Sequence, residues 1–244
     1  MLKLLAYPFS FVYYCFFSSF LLFFHPIQIF CLRWINLNAQ KKAVDILNFF
    51  LLRCLNLLGT TIIFENKESL PQKGTFIFAA NHQSTYDIPP LIWYLRKYHP
   101  KFIAKKELGK GLPSISYHLR HGGNVLIDRR DPVASLAAIE KFALKVQQNN
   151  WSVVIFPEGT RTRNGQPKKF QRAGLRSLLT HIPEAVLVPI SINNSWKLAQ
   201  WKYFPMPIGV RLEVKVHKAI LPQQMEMETA LDLLENTVKE GVKN

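Results

Sequence analysis

Six short apolar runs divide the chain from residue 60 onward: "TTIIF" (60–64), "TFIFAA" (75–80), "FIA" (102–104), "NVLI" (124–127), "WSVVIF" (151–156) and "AVLVPISI" (185–192). Their length and β-branched content predict strands. Helical patterns interleave with them. "LIWYLRKY" (91–98) follows the Pro89-Pro90 pair, and "DPVASLAAIEKFALKVQQ" (131–148) has Asp131 placed as N-cap and Pro132 at the first helical position. Its apolar residues at 133, 136, 139, 142, 143 and 146 mark one face. "RLEVKVHK" (211–218) alternates with period two, predicting a half-exposed edge strand, and "PQQMEMETALDLLENTVKEGV" (222–242) predicts a closing helix. Strands alternating with helices specify the α/β class: a mixed, mostly parallel sheet flanked by helices.

The residues just past the strands are more specific. Asn81-His82, Lys105-Lys106, Asp128-Arg129-Arg130 and "PEGTR" (157–161) each come directly after an apolar run. Open α/β sheets bind ligands beyond the carboxyl ends of their strands, and plain turns carry more Gly, Asn and Ser than these do. Within "NHQSTYD" (81–87), His82 and Asp87 are five apart, so they do not share a helix face. Pro89 and Pro90 require the first turn of a helix starting near Ile88, which leaves 82–87 as a turn. In a turn, Asp87 can fold back onto His82 Nδ1–H, fixing the tautomer and leaving Nε2 as a base. Asp87 also suits a helix N-cap, and the two roles are compatible because a carboxylate has two oxygens. Ser84 lacks a nucleophile-elbow sequence.

The first third is built differently. From Leu4 to Leu32 there is no Asp, Glu, Lys or Arg. Pro8 and Pro26 bracket Phe9–His25, about 17 residues or roughly 25 Å of helix, the lower edge of membrane-spanning length. A second apolar pattern, "KAVDILNFFLLRCLNLLG", ends at Gly59, a C′ residue by type. Its polar residues Asp45, Asn48, Arg53 and Asn56 fall within about 140° of one another, which predicts an amphipathic helix lying in an interface or packing on a domain. Residues 1–58 are therefore expected to form two membrane-associated, anchoring helices, and 59–244 the domain that carries the chemistry.

Of the 31 Lys and Arg residues only Lys3 precedes Arg33, and none of the 16 Asp and Glu residues does. A surplus of that size favours an anionic partner without choosing one. Three cysteines, Cys15, Cys31 and Cys54, sit in apolar stretches at irregular spacing, so they read as small buried hydrophobes rather than a disulfide framework or metal site. "HLRH" (118–121) lacks a nearby carboxylate or cysteine and reads as surface or channel polarity. No P-loop, zinc spacing or RNA-binding aromatic motif occurs, so no nucleic acid is expected.

"NHQSTYD" resembles the NHxxxxD motif of the glycerolipid acyltransferase family. "GGNVLIDRR" (122–130), "FPEGTR" (156–161) and "VPI" (188–190) resemble that family's second, third and fourth blocks, in order, over about residues 60–220. The resemblance implies transfer of a fatty acyl group from an acyl thioester, acyl-CoA or acyl carrier protein, to the sn-2 hydroxyl of 1-acylglycerol-3-phosphate (lysophosphatidic acid), making phosphatidic acid for phospholipid biosynthesis. It implies His82 as general base, Asp87 as its orienting partner, no acyl-enzyme, no metal and no cofactor. It implies Arg129 and Arg161 as binders of the glycerol phosphate, with Lys105 a third, and Glu158, Gly159 and Thr160 shaping the same substrate-binding loop. The expected setting is the lipid bilayer, at the cytoplasmic face of the inner membrane. One departure bears on the acceptor: where the family's second block has a further arginine, this chain has Pro132, with Arg130 the nearest substitute. A related acyltransferase with another lysolipid acceptor fits the same blocks. A basic, membrane-docked binding protein accounts for the charge but not for a His–Asp turn preceding "FPEGTR".

Overall fold

The computed structural model describes residues 2–66, 70–71 and 74–243. Seven strands form one sheet: β1 (Thr61–Glu65), β2 (Phe76–Ala80), β3 (Pro100–Lys105), β4 (Val125–Ile127), β5 (Ser152–Ile155), β6 (Val186–Asn193) and β7 (Arg211–Val216). Their order is β1-β7-β6-β2-β5-β3-β4, and every pair is parallel except β6–β7. The expected α/β class and mostly parallel sheet are therefore present. The expected edge strand is not: β7 lies between β1 and β6. Period-two alternation reports which face of a strand is buried, and says nothing about whether both of its edges are paired.

Strand pleating divides the core in two. From β2, Phe76, Phe78 and Ala80 face one side, while Ile77 and Ala79 face the other. The first side is covered by α2 (Leu37–Leu57) and α3 (Ile88–Tyr94), through Leu52, Leu55, Leu91 and Ile92. The second is covered by α5 (Pro132–Gln148), α6 (Ala173–His181) and α7 (Met227–Glu240), through Ile139, Val146, Leu175, Leu178, Leu231 and Leu234. In α5 the Asp131 carboxylate accepts from Ala134 N at 2.9 Å, as its sequence predicted, but Val133 is 80% exposed and lies off the buried face.

The N-terminal helix is longer than its prolines suggested. α1 runs Leu2–Phe30, with Pro8 and Pro26 inside it, and closes in a wide turn at Cys31–Ile35. Proline keeps a helical φ and removes one hydrogen bond, so it need not end a helix whose flanking turns are held. Just before Pro26 the helix is also tied from outside by Ser114, whose Oγ donates to Leu21 O at 2.7 Å and whose N donates to His25 Nδ1 at 3.0 Å. Lys3–Ile35 is long and apolar enough, by length and composition, to cross a membrane, with 17% of its most apolar stretch buried. Phe11 is 67% exposed and Phe23 63%. Cys15 is also exposed and Cys31 partly so, against the expectation for the cysteines; only Cys54 is buried. Each of the first two sits on the outward side of α1 or the turn that follows it.

Helix α2 ends as its glycine predicted. Gly59, at φ 66°, donates to Asn56 O, and Thr60 N donates to Leu55 O, the paired bonds of a Schellman cap. Its polar stripe is not left to solvent throughout, since Asp45 and Asn48 are buried. Asn48 Nδ2 donates to Val44 O at 2.8 Å and Lys41 pairs with Asp45 at 2.5 Å, so both polar groups are satisfied within the helix. The helix α4 (Ile115–His121), unannounced in the sequence, divides "HLRH": Arg120 and His121 are exposed, as expected of surface polarity, while His118 is buried. Burial holds the His118 ring neutral, lowering its pKa to about 3, between the side-chain amides of Gln40 and Asn124.

Candidate active site

Strands β2 and β5 are neighbours at the centre of the sheet, and the chain departs from them in opposite directions. From β2 it passes through α3 to β3 and β4, whereas β5 leads through α6 to β6 on the far side of β2. The two connections run to opposite faces of the sheet, α3 on one and α6 on the other, so their loops part at the carboxyl ends of β2 and β5, the place where such sheets bind ligands. "NHQSTYD" leaves β2 there and "PEGTR" leaves β5.

The turn after β2 folds as its spacing required. Asp87 is completely buried, and its Oδ2 accepts from His82 Nδ1 at 2.7 Å, from Gln83 N at 2.7 Å and from Ser84 N at 3.0 Å. Asp87 makes no side-chain cap to α3; instead it reaches back to the Ser84 backbone, in a capping box at the short 3₁₀ turn Thr85–Asp87. The N-cap role falls to Ser84, whose Oγ accepts from Tyr86 N at 3.1 Å and is thereby structural. The carboxylate's second oxygen accepts from Ser195 Oγ, delivered from beyond β6 by Asn194 in a left-handed conformation. Ser195 lies too far along the chain for sequence spacing to connect it to Asp87. His82 keeps some exposure, its ring stacks on Phe156 with centroids 4.1 Å apart, and Nε2 has no hydrogen-bond partner among the described residues.

The loop after β5 is laced to this turn. Glu158 Oε1 accepts from His82 N at 3.0 Å and Oε2 from Lys168 N at 3.2 Å. Thr162 N donates to His82 O at 2.8 Å, and Gln83 Nε2 donates to Gly165 O at 3.1 Å. Burial raises the Glu158 pKa to about 7, although the backbone donors oppose that shift. Glu158 thus organises the loop. Gly159 has φ 70°, a left-handed conformation that favours glycine, and a Cβ there would stand 3.1 Å from the Gln171 amide, which would have to shift slightly.

The cations divide. Arg129 Nη1 donates to Gly159 O, which brings the loop after β4 onto the loop after β5. Partial burial and the neighbouring Arg161 charge both disfavour its charged form. Arg161 is exposed and donates through Nη1 to Tyr203 Oη at 2.8 Å. Neither guanidinium pairs with a carboxylate among the described residues; Arg129 is held by a backbone carbonyl and Arg161 by a phenol oxygen. Arg130, by contrast, turns out to Asp128 at 3.2 Å with its side chain 84% exposed. Lys105 pairs with Glu107 at 3.2 Å, and Thr160 is exposed with its backbone in the loop. No group of three or more His, Cys, Asp or Glu suited to a metal occurs among the described residues.

A histidine–carboxylate pair and two guanidiniums are thus gathered at the carboxyl edge of an α/β sheet. The chain belongs to the acyltransferase family: the family model described as Acyltransferase matches residues 61–193, more than half of it. Among its relatives, a Helicobacter pylori protein named 1-acyl-sn-glycerol-3-phosphate acyltransferase is 41% identical over 175 residues, 68% of each chain. Proteins of the same name from Borreliella burgdorferi and Cocos nucifera are 30% and 31% identical, over 61% and 64% of this chain. The matches span 60% of the Borreliella protein and 49% of the Cocos one. The fold matches the crystal structure of the 1-acyl-sn-glycerophosphate (LPA) acyltransferase PlsC from Thermotoga maritima, with a TM-score of 0.80 over 99% of this chain and 96% of that one, at 24% identity.

Proposed function

We propose that the protein transfers a fatty acyl group from an acyl thioester to the sn-2 hydroxyl of 1-acylglycerol-3-phosphate, giving phosphatidic acid. The observation that carries this reading is the His82–Asp87 contact at 2.7 Å, with Nε2 left open at the strand end. A neutral imidazole held by Nδ1 presents Nε2 as an acceptor for the hydroxyl proton. The oxygen then attacks the thioester carbonyl, the C–S bond breaks, and the departing thiolate takes the proton back from the imidazolium. Ester and free thiol are the products, and the base is restored. The buried Asp87 carboxylate stabilises the imidazolium while it exists. Arg161 and Arg129 bind the acceptor phosphate, where guanidinium forks meet a phosphomonoester well; Lys105 lies at the neighbouring strand end and contributes charge. Glu158, Gly159 and Thr160 set the shape of the loop that presents Arg161.

On this reading the expected anchor, residues 1–58, divides: α1 anchors the protein, α2 covers one face of the sheet, and 59–244 carry the chemistry. The exposed aromatic side of α1 docks in the lipid bilayer at the cytoplasmic face of the membrane, where lysophosphatidic acid resides and where acyl-CoA or acyl carrier protein delivers the acyl group. The test is His82→Ala in purified protein, followed by release of thiol from a defined acyl thioester. Turnover should fall by roughly 10²–10⁴, the usual scale for a general base, with the thermal transition unchanged. Near-normal turnover would refute the mechanism. Comparing acceptors with and without a phosphomonoester separates this reaction from acylation of another lysolipid.

A further inference from the structure

The segment 201–206 is fastened along the first turns of α1 and touches Arg161 through Tyr203. Met206 N donates to Ser10 Oγ at 2.7 Å, and Tyr14 Oη donates to Tyr203 O at 2.6 Å. The Phe204 ring sits between those of Tyr7, 5.5 Å away, and Tyr14, 6.2 Å away. Two consecutive residues of this segment, Lys202 and Tyr203, adopt left-handed backbone at φ 55° and 69°. Side chains rarely take that conformation, and it persists only where surrounding contacts over-determine it. Here those contacts come from α1, from the ring of Tyr86 at 6.0 Å, and from turn hydrogen bonds of Lys202 N to Ala199 O and Phe204 N to Trp201 O. The result is that the Tyr203 carbonyl points to α1 while its hydroxyl accepts from Arg161 Nη1 at 2.8 Å. Arg161 is an exposed residue, and this is the one side-chain hydrogen bond it makes among the described residues.

We propose that Tyr203 is a positioning residue for the acceptor headgroup: it holds the Arg161 guanidinium in place, and its tie to Tyr14 makes that hold depend on how α1 is seated. This rests on Arg161 as a phosphate ligand. A bilayer that fixes α1 then also orders the headgroup site, and the enzyme binds acceptor better at a membrane than in solution. An exposed arginine samples many rotamers, and fixing one beforehand removes an entropic cost from binding.

The experiment uses the full-length protein in vesicles, with Tyr203→Phe, Tyr14→Phe, the double variant and Arg161→Ala. Tyr203→Phe should raise the acceptor KM about three- to tenfold and leave the donor KM and the thermal transition unchanged. Tyr14→Phe, which touches neither Arg161 nor the phosphate, should raise the acceptor KM in the same sense, and the double variant should be no worse than Tyr203→Phe alone. Tyr203→Phe should add nothing in an Arg161→Ala background. If Arg161→Ala raises the acceptor KM but Tyr203→Phe does not, or lowers kcat alone, the positioning role is wrong. If Tyr203→Phe acts but Tyr14→Phe does not, the coupling to α1 is wrong. If Arg161→Ala itself leaves the acceptor KM unchanged, the phosphate assignment fails instead.

Discussion

Replacing Asp87 with asparagine removes one charge from the site and little else. Oδ2 accepts three hydrogen bonds and the other oxygen accepts one from Ser195. An asparagine oxygen in the Oδ2 position keeps the three. Its NH₂ then faces Ser195 Oγ, which can rotate to accept it and donate toward Gln83 Oε1 at 3.5 Å. All partners remain satisfied, so Asp87→Asn should fold, with stability within about 2 kcal/mol of the native protein. Activity is another matter. At 2.7 Å and an effective dielectric of about 20, a carboxylate stabilises an imidazolium by roughly 6 kcal/mol. The hydrogen bond that the amide oxygen keeps retains about 1 kcal/mol. The remainder, about 5 kcal/mol, corresponds to a loss of roughly 10³–10⁴ in kcat. The assay is thiol release under saturating lysophosphatidic acid, alongside a thermal melt. Ser195→Ala, which keeps the charge and leaves one carboxylate oxygen short of a donor, should lose only about tenfold. A folded Asp87→Asn protein within tenfold of the native rate would show that no imidazolium forms in the rate-limiting step.

Three further outcomes are expected of the same structure. Glu158 has a folded-state pKa of about 7 against an ordinary 4.5, so its contribution to stability is complete below about pH 4.5 and is lost as pH climbs through 7. The melting-temperature difference between native protein and Glu158→Gln should therefore move in the variant's favour between pH 5 and pH 8; a constant difference would mean that the carboxyl is ionised throughout. Gly159→Ala forces a side chain into left-handed backbone and toward Gln171, which should cost about 1–2 kcal/mol in a denaturant titration and lower activity, because the carbonyl that Arg129 holds must move. Deleting residues 1–58 removes Leu52, Leu55 and Leu58 from the sheet's own core, at about 1.5–3 kcal/mol each. That deletion should abolish cooperative unfolding, whereas deleting 1–36 should leave a cooperative transition and lose vesicle binding; a folded, soluble 59–244 fragment would contradict the packing of α2.

What the sequence determined by itself was local. The strands and the larger helices arise from apolar periodicity. The His82–Asp87 turn comes from a spacing of five, closed off by Pro89 and Pro90. The end of α2 at Gly59 and the start of α5 at Asp131 come from cap chemistry. In each case the interacting groups lie within a turn or two of chain, so their geometry is set by backbone dihedrals that the residue types restrict. Pro8 and Pro26 lie inside α1 rather than at its ends, because a proline keeps a helical φ and costs the helix a single hydrogen bond. Tertiary structure alone decided the rest. Strand order put Glu158 under His82, brought Ser195 to the buried oxygen of Asp87, and placed β7 inside the sheet. It also separated Arg129 from Arg130, adjacent residues of one type, sending the first to the Gly159 carbonyl and the second to Asp128. Tyr203 belongs to this second group, since it meets Arg161 only because the segment carrying it is tied down by α1. Contacts between such distant segments depend on which strands pair and which faces are covered, and periodicity carries no record of either choice.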